Sequence, residues 1–189
     1  AFKHNIAYEG GIDHRYRMIK NVMGLWIMQE CCRDYEQATH QECSYDFVAQ
    51  AVSSAKPLQF FIDPDSAEFY MPGNMIHKVK EYCRRTNQQV PSDFGQVARC
   101  VLESLALKYR YVFEIIEKIT GYPLPEIYIL GGGSQNILLN QFVANACKRC
   151  VYAGPSEAAL AGNMISQMKS TGEITNLKEG RDIVKNSFD

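Results

Sequence analysis

Three consecutive glycines, Gly131-Gly132-Gly133, lead into Ser134-Gln135-Asn136 between a short apolar run, Ile127-Tyr128-Ile129-Leu130, and a helix-like one, Ile137 to Cys147. A strand that ends in glycines at a helix start constrains the fold more than any other stretch of this chain. Without Cβ atoms, successive peptide N–H groups can turn toward a ligand, and positive φ costs little. The first turn of the following helix adds unpaired donors and a partial positive charge. The spacing is neither GxGxxG nor GxxxxGK[ST], so neither the dinucleotide fingerprint nor the P-loop applies. From spacing alone two readings stay open: a nucleotide or phosphate site, or a tight β–α turn that holds no ligand.

The rest of the chain alternates short strands with long helices. Ile6 to Gly11 reads as a strand, and Asp13 to Glu36 as one long helix, because Tyr16, Ile19, Met23, Trp26 and Gln29 recur at near-helical intervals with Gly24 as its soft spot. A second helix is expected over Cys43 to Ser54. Phe60-Phe61-Ile62 reads as a buried strand closed by turn chemistry at Asp63-Pro64-Asp65-Ser66. Helices follow from Met71 to about Thr86 and from Pro91 to Gly121. The longer one is capped by Ser92 and buries Val97, Val101, Leu105, Tyr109, Val112, Ile116 and Ile119. After the glycine turn come a strand at Val151 to Ala153, a helix from Ser156 to Met168, and a weak helix near Leu177 to Val184. This alternation is α/β, with few strands and long helices.

Charge and cysteine usage exclude several classes. The 20 basic and 21 acidic side chains are dispersed, so there is no electrostatic footprint for nucleic acid. No apolar run approaches the ~18 residues of a membrane span. Ala1-Phe2-Lys3-His4-Asn5 is neither a leader nor an initiating Met, and the chain reads as a piece of something longer. Seven cysteines include one CxxC, Cys147-Lys148-Arg149-Cys150, but it lies at a helix end without a second ligand pair, so ordinary thiols in a reducing cytoplasm are expected. His14 and His77 lack spaced partners, and Asp63 with Asp65 reads as a capped turn rather than a carboxylate pair. Trp26, Tyr16 and Met23 read as core, and Ala158, Ala159, Ala161 and Gly162 as a close helix contact.

Five segments together carry a resemblance: Glu9-Gly10-Gly11; Arg15-Tyr16-Arg17; Lys20-Asn21-Val22-Met23-Gly24-Leu25-Trp26; Ile129-Leu130-Gly131-Gly132-Gly133-Ser134-Gln135-Asn136; and Ala153-Gly154-Pro155-Ser156-Glu157-Ala158. In this order, over nearly the whole chain, they resemble the C-terminal half of a sugar kinase of the FGGY carbohydrate kinase family, within the actin-like ATPase superfamily. The resemblance implies a ribonuclease-H-like, actin-like ATPase domain spanning residues 1–189, the second of two domains that close on ATP and a sugar. It implies transfer of the γ-phosphoryl group, with Mg²⁺, to the 1-hydroxyl of L-rhamnulose. The Lys20 to Trp26 segment separates it from kinases of glycerol and xylulose.

By the same resemblance Asn21 would reach the sugar, and Gln29, Gly131, Gly132, Gly133 and Asn136 would line the nucleotide path, with Asn136 on the adenine side. No catalytic residue and no metal ligand is implied for this chain. The family's Gly-Thr-Trp-Ser segment, its aspartate base and its first phosphate loop precede the residues seen here, so the chain alone is expected to be inactive. Asn21 suits a sugar hydroxyl because an amide both donates and accepts, and on one continuous helix Gln29 would follow it about two turns along the same face. The resemblance also places Cys83 and Cys100 where a relative can form a disulfide, although a cytoplasmic setting favours free thiols. A kinase for L-fuculose, D-xylulose or glycerol, or a non-catalytic actin-like nucleotide-binding module, remains an alternative.

Overall fold

The computed structural model describes residues 2–188. Its centre is α4, Phe94–Thr120, whose N-terminal half is buried along Val97, Val101, Leu102 and Leu105 while the half beyond Ala106 is increasingly exposed. Around that buried half pack α1 (Trp26–Thr39), α2 (Tyr45–Ser54), α3 (Met75–Arg85) and α5 (Ile137–Cys147). Asp93, not Ser92, caps α4: its Oδ1 accepts the Gln96 N–H at 2.8 Å, and Gln96 Oε1 returns the bond to the Ser92 N–H at 2.8 Å. The cap thus falls one residue after the sequence expectation, and the pair is a variant of the capping box in which the returning side chain accepts from the residue before the cap. Gly121 ends the helix at φ 74°, as expected from a glycine stop.

Two small sheets flank this bundle. Ala7–Gly10 (β1) and Tyr16–Ile19 (β2) form an antiparallel hairpin, with Glu9 opposite Arg17 and their side chains paired at 3.1 Å. Glu126–Ile129 (β3) runs parallel to Cys150–Ala153 (β4) across α5, the expected β–α–β arrangement around the glycine turn. Ala158–Thr171 (α6) and Leu177–Ser187 (α7) follow.

The hairpin corrects the long helix expected over Asp13 to Glu36. Tyr16-Arg17-Met18-Ile19 satisfies the strand period as readily as the helical one, and a strand at Ala7–Gly10 offers it a ladder. Gly24 then takes φ 61°, a conformation that no helix interior holds, so α1 starts only at Trp26. Tyr16, expected in the core, is 78% exposed, whereas Trp26 and Met23 do pack against the core.

A second correction concerns Phe60-Phe61-Ile62, which joins no strand although Phe60 and Ile62 are buried. Side chains replace the missing ladder. The Gln88 amide accepts from Phe61 N–H at 2.8 Å and donates to Phe61 C=O at 2.7 Å, and Ser104 Oγ accepts from Ile62 N–H at 2.9 Å. Buried backbone polar groups need partners, and here two polar side chains supply them.

The α3 N-terminus is capped from outside its own helix. Glu30 Oε2 accepts the Gly73 N–H at 3.0 Å and Asp34 Oδ2 accepts the Ile76 N–H at 3.0 Å. These two carboxylates stand one turn apart on α1, so one helix face supplies the acceptors and charge that the start of the other lacks. Glu30 itself is buried and paired with Arg33.

All seven cysteines are free thiols. Cys83 on α3 and Cys100 on α4 touch through a hydrogen bond, and that contact together with burial pushes the Cys100 thiol well up.

Helices α2 and α4 cross where Gly95 has no side chain. A Cβ there would lie 2.6 Å from the Ala51 carbonyl oxygen. Alanine gains about 1 kcal/mol of helix propensity over glycine, but a clash against the unyielding α2 backbone costs about 1–3 kcal/mol, so the clash outweighs the gain by up to about 2 kcal/mol. Gly180 differs, because its added Cβ would meet the Ile165 side chain, which can rotate. Gly95→Ala is therefore expected to lower Tm by roughly 2–8 °C for a chain of this size, and Gly180→Ala by less. A thermal melt of both variants checks the order.

Candidate functional site

The glycine turn takes its shape from one backbone requirement and one side-chain brace. Gly131 has φ 79° and ψ −169°, a region open only to glycine, and its N–H donates to the Pro155 carbonyl at 3.0 Å. Residues Gly132–Gln135 then form one 3-10 turn. Ser134, buried, donates its hydroxyl to the Gly131 carbonyl at 2.8 Å, closing the turn on itself. Behind it the Asn140 amide donates to the Ser134 carbonyl at 2.7 Å, while Asn140 Oδ1 is buried without a partner.

Gly132 and Gly133 are small for a different reason. A Cβ at either position would meet nothing within 4 Å, and neither has positive φ. Neither packing nor conformation therefore calls for glycine there. What remains is room for a group approaching the backbone.

That room is part of a cleft of about 730 Å³ between α1, α4 and β3. Trp26 and Gln29 line it from α1, Tyr109 and Phe113 from α4, and Gly132 and Gly133 from the turn. Ile127 and Leu139 form its apolar floor. No charged side chain is among the lining residues, so polar recognition falls to the Gln29 amide, the Tyr109 hydroxyl and the bare backbone, the Trp26 Nε1 already being bound to the Phe69 carbonyl. The Gln29 amide is exposed and has no protein partner among the described residues. Burial raises the Tyr109 phenol above its ordinary pKa.

Asn136 is not a lining residue of the cleft, and half of its amide is already used. Its Oδ1 caps α5 by accepting the Leu139 N–H at 2.9 Å, leaving the NH₂ group to face outward from that bond. The adjacent Ile137 N–H donates to the Tyr45 hydroxyl at 2.9 Å, so α2 also holds the start of α5.

Asn21 is not brought to the same place. It lies exposed in the segment between β2 and α1 and is not a lining residue of the cleft. The expectation that Asn21 and Gln29 share one helix face fails, because Gly24 separates the segment from α1. The segment is instead tied to the 63–69 turn. The Met23 N–H donates to Asp65 Oδ1 at 3.1 Å, and Trp26 Nε1 donates to the Phe69 carbonyl at 3.1 Å.

Asp63 and Asp65 do form the capped turn read from the sequence, since Asp63 Oδ1 accepts the Asp65 N–H at 3.1 Å. Lys108 on α4, which sequence reasoning passed over, bridges both carboxylates at 2.8 and 3.0 Å. Partial burial opposes both charges, yet the mutual hydrogen bonds hold Asp63 below and Lys108 above their ordinary values. Of the missed aromatic wall, Phe113 carried a faint signal, since rings replace aliphatic residues where α4 leaves the core, whereas Tyr128 comes from β3 and shares no such pattern.

Residues 1–171 match the family described as the FGGY family of carbohydrate kinases, C-terminal domain. The rhamnulokinase of Oceanobacillus iheyensis is 41% identical over 190 residues, spanning 100% of this chain and 39% of that protein. The rhamnulokinase of Bacillus subtilis is 36% identical over 188 residues, spanning 100% and 38%. That of Bacteroides thetaiotaomicron is 38% identical over 184 residues, spanning 97% and 37%. The chain thus spans less than two fifths of the length of these curated relatives.

The three glycines are expected to separate by stability. Gly131→Ala forces a side chain into a glycine-only conformation and should cost about 1–3 kcal/mol. Gly132→Ala and Gly133→Ala should stay within about 0.5 kcal/mol of the parent. Urea denaturation of the three variants measures the difference.

Proposed function

The chain belongs to the FGGY family of carbohydrate kinases, and from that premise we propose that it forms the nucleotide-facing C-terminal domain of an ATP-dependent kinase acting on the 1-hydroxyl of L-rhamnulose. The observation that carries the reading is the meeting of Gln29 with Gly132 and Gly133 in one uncharged cleft, where the two glycines answer no demand of packing or φ. Rhamnulokinase relatives at 36–41% identity over the whole chain support the choice of sugar.

In this reading ATP lies with its base between the aromatic wall and the Asn136 edge, and its phosphates along the Gly131–Gly133 backbone. Phosphoryl transfer depends chiefly on positioning and on stabilising charge at the moving group. Bare peptide N–H groups at the glycine turn provide donors that need no reorganisation. Gln29 orients the nucleotide, and Asn21 binds a sugar hydroxyl from the segment before α1. Residues 1–189 act as one domain, with α7 seated on α6 where Gly180 allows close approach.

Among the described residues no cluster of three or more His, Cys, Asp or Glu is placed to hold a metal ion. No ligand for Mg²⁺ is assigned to this chain, and no step is routed through it. The cleft lining also contains no carboxylate or imidazole that could act as a general base. The base and the remaining sugar contacts are assigned to the domain that precedes this one in the longer relatives.

Gly132→Asp should fold normally, because its Cβ meets nothing, yet it would place a carboxylate beside the phosphates. Like charges ~4 Å apart at an effective dielectric of ~20 repel by about 4 kcal/mol, so ATP affinity in the full-length protein should fall at least about 100-fold. Calorimetric titration of the variant with ATP reads this, and unchanged affinity removes the glycine turn from the nucleotide site.

The sugar is tested by ADP release from the full-length protein with ATP·Mg²⁺ and L-rhamnulose, L-fuculose, D-xylulose or glycerol. Preference for L-rhamnulose is expected. Preference for another sugar keeps the kinase and discards the substrate, and nucleotide binding without turnover on any of the four favours a non-catalytic module. The present chain alone should release no ADP above an enzyme-free control.

A further inference from the structure

We propose that Asp65, held by Lys108, is the positioning residue that fixes the Lys20–Leu25 segment and thereby sets Asn21 against the sugar. The inference rests on the assignment of Asn21 above. It deepens that assignment by naming what holds a residue that lies on no helix and no strand.

The side chains of Val22, Met23 and Leu25 pack against the core, but the segment's backbone has little polar support. Among the described residues, the backbone of residues 20–24 makes one hydrogen bond, from Met23 N–H to Asp65 Oδ1 at 3.1 Å. Asn21 lies two residues upstream, within roughly 7 Å of chain. The remaining tether, Trp26 Nε1 to the Phe69 carbonyl, lies at the far end, on α1 itself. Both tethers end on the same turn, residues 63–69, so that turn sets where the segment lies.

Asp65 is in turn fixed from three sides. Lys108 Nζ meets its Oδ2 at 3.0 Å, Asp63 Oδ1 accepts its N–H at 3.1 Å, and the Tyr70 hydroxyl donates to its carbonyl at 2.9 Å. One carboxylate oxygen thus faces α4 while the other faces the segment. Lys108 is largely shielded from solvent, with 14% of its side chain exposed, and stands on the central helix, just past its buried half. An ordinary surface ion pair contributes little to stability. This one instead adds a directional link from α4 to a segment that its apolar contacts hold without fixing its register, and misplacement by ~1 Å can reduce rate or affinity roughly 100-fold.

The test uses full-length protein and reads sugar and ATP separately. Asp65→Ala is expected to raise the sugar KM roughly 10- to 100-fold while the ATP KM stays within about 2-fold. Lys108→Met should act in the same direction with a smaller effect, and Lys108→Arg should restore most of it. Neither Lys108 variant removes the Met23 acceptor, so both keep the test alive if Asp65→Ala fails to fold. Hydrogen exchange at the Met23 amide should quicken in Asp65→Ala and Lys108→Met, a readout independent of turnover.

Asn21→Ala is measured beside them. If it raises the sugar KM and the Asp65 and Lys108 variants do not, the anchor is wrong and Asn21 stands. If Asn21→Ala leaves the sugar KM unmoved, the Asn21 assignment falls and this proposal with it. Equal rises in sugar and ATP KM, or unchanged exchange at Met23, also overturn the anchor. A double variant Asn21→Ala/Asp65→Ala no weaker for sugar than Asn21→Ala supports it.

Discussion

Burying a carboxylate costs several kcal/mol unless protein groups replace the water it loses, and Glu103, 5% exposed on α4, is buried. Its replacements organise the molecule. Arg99 Nε donates to Oε1 at 2.7 Å and the Leu58 N–H to Oε2 at 2.8 Å. The Arg99 guanidinium goes on to the Val52 and Ala55 carbonyls at 2.8 and 3.0 Å, in and just past the last turn of α2. One buried pair therefore pins the end of α2 and the start of the loop after it to the central helix. From that point the chain runs through Phe60-Phe61-Ile62, clamped by Gln88 and Ser104, into the turn at Asp63 and Asp65.

Seen along this route, the site is a sequence of dependencies on α4. The helix holds Glu103, the loop follows from Glu103, the turn follows from the loop, and the segment bearing Asn21 leans on the turn. The same helix contributes Tyr109 and Phe113 to the cleft, and α5 packs along it, so the glycine turn inherits its position from α4 as well. The buried Glu30 and the half-buried Asp34 repeat the device on α1, capping α3 from outside. Polar groups inside this fold act as joints between elements whose apolar contacts alone would leave sliding freedom.

What could be read in the sequence followed from strong local signals. The glycine turn, its flanking strand and helix, the long helix with its glycine stop and the small parallel β3–β4 pair all rest on turn chemistry or on a sustained period. The stretch from Asp13 to Trp26 misled because four residues of strand fit a helical stripe, and the deciding partner, Ala7–Gly10, acts through space. Phe60-Phe61-Ile62 has the composition of a strand, but its partners are the side chains of Gln88 and Ser104, which no periodicity reports. Lys108 looked like one more charge on an exposed helix face until the fold set it against two aspartates 43 and 45 positions away. In the candidate site, the residues on the glycine turn were legible because glycine is rare and conspicuous there. The aromatic wall was not, because rings at helical spacing look the same whether they face a core or a cleft.

Trp26 carries a consequence of its own. It is the sole tryptophan of the chain, it lines the cleft a few residues from Gln29, and its ring nitrogen is tied to the Phe69 carbonyl at the turn that supports the Asn21 segment. Indole emission depends on local polarity and on what donates to or accepts from the ring. The protein therefore contains a single indole fluorophore, selectively excitable above the tyrosine band, at the junction of its two candidate ligand regions. Occupancy of the cleft and movement of the segment would both register in one spectrum, without a label.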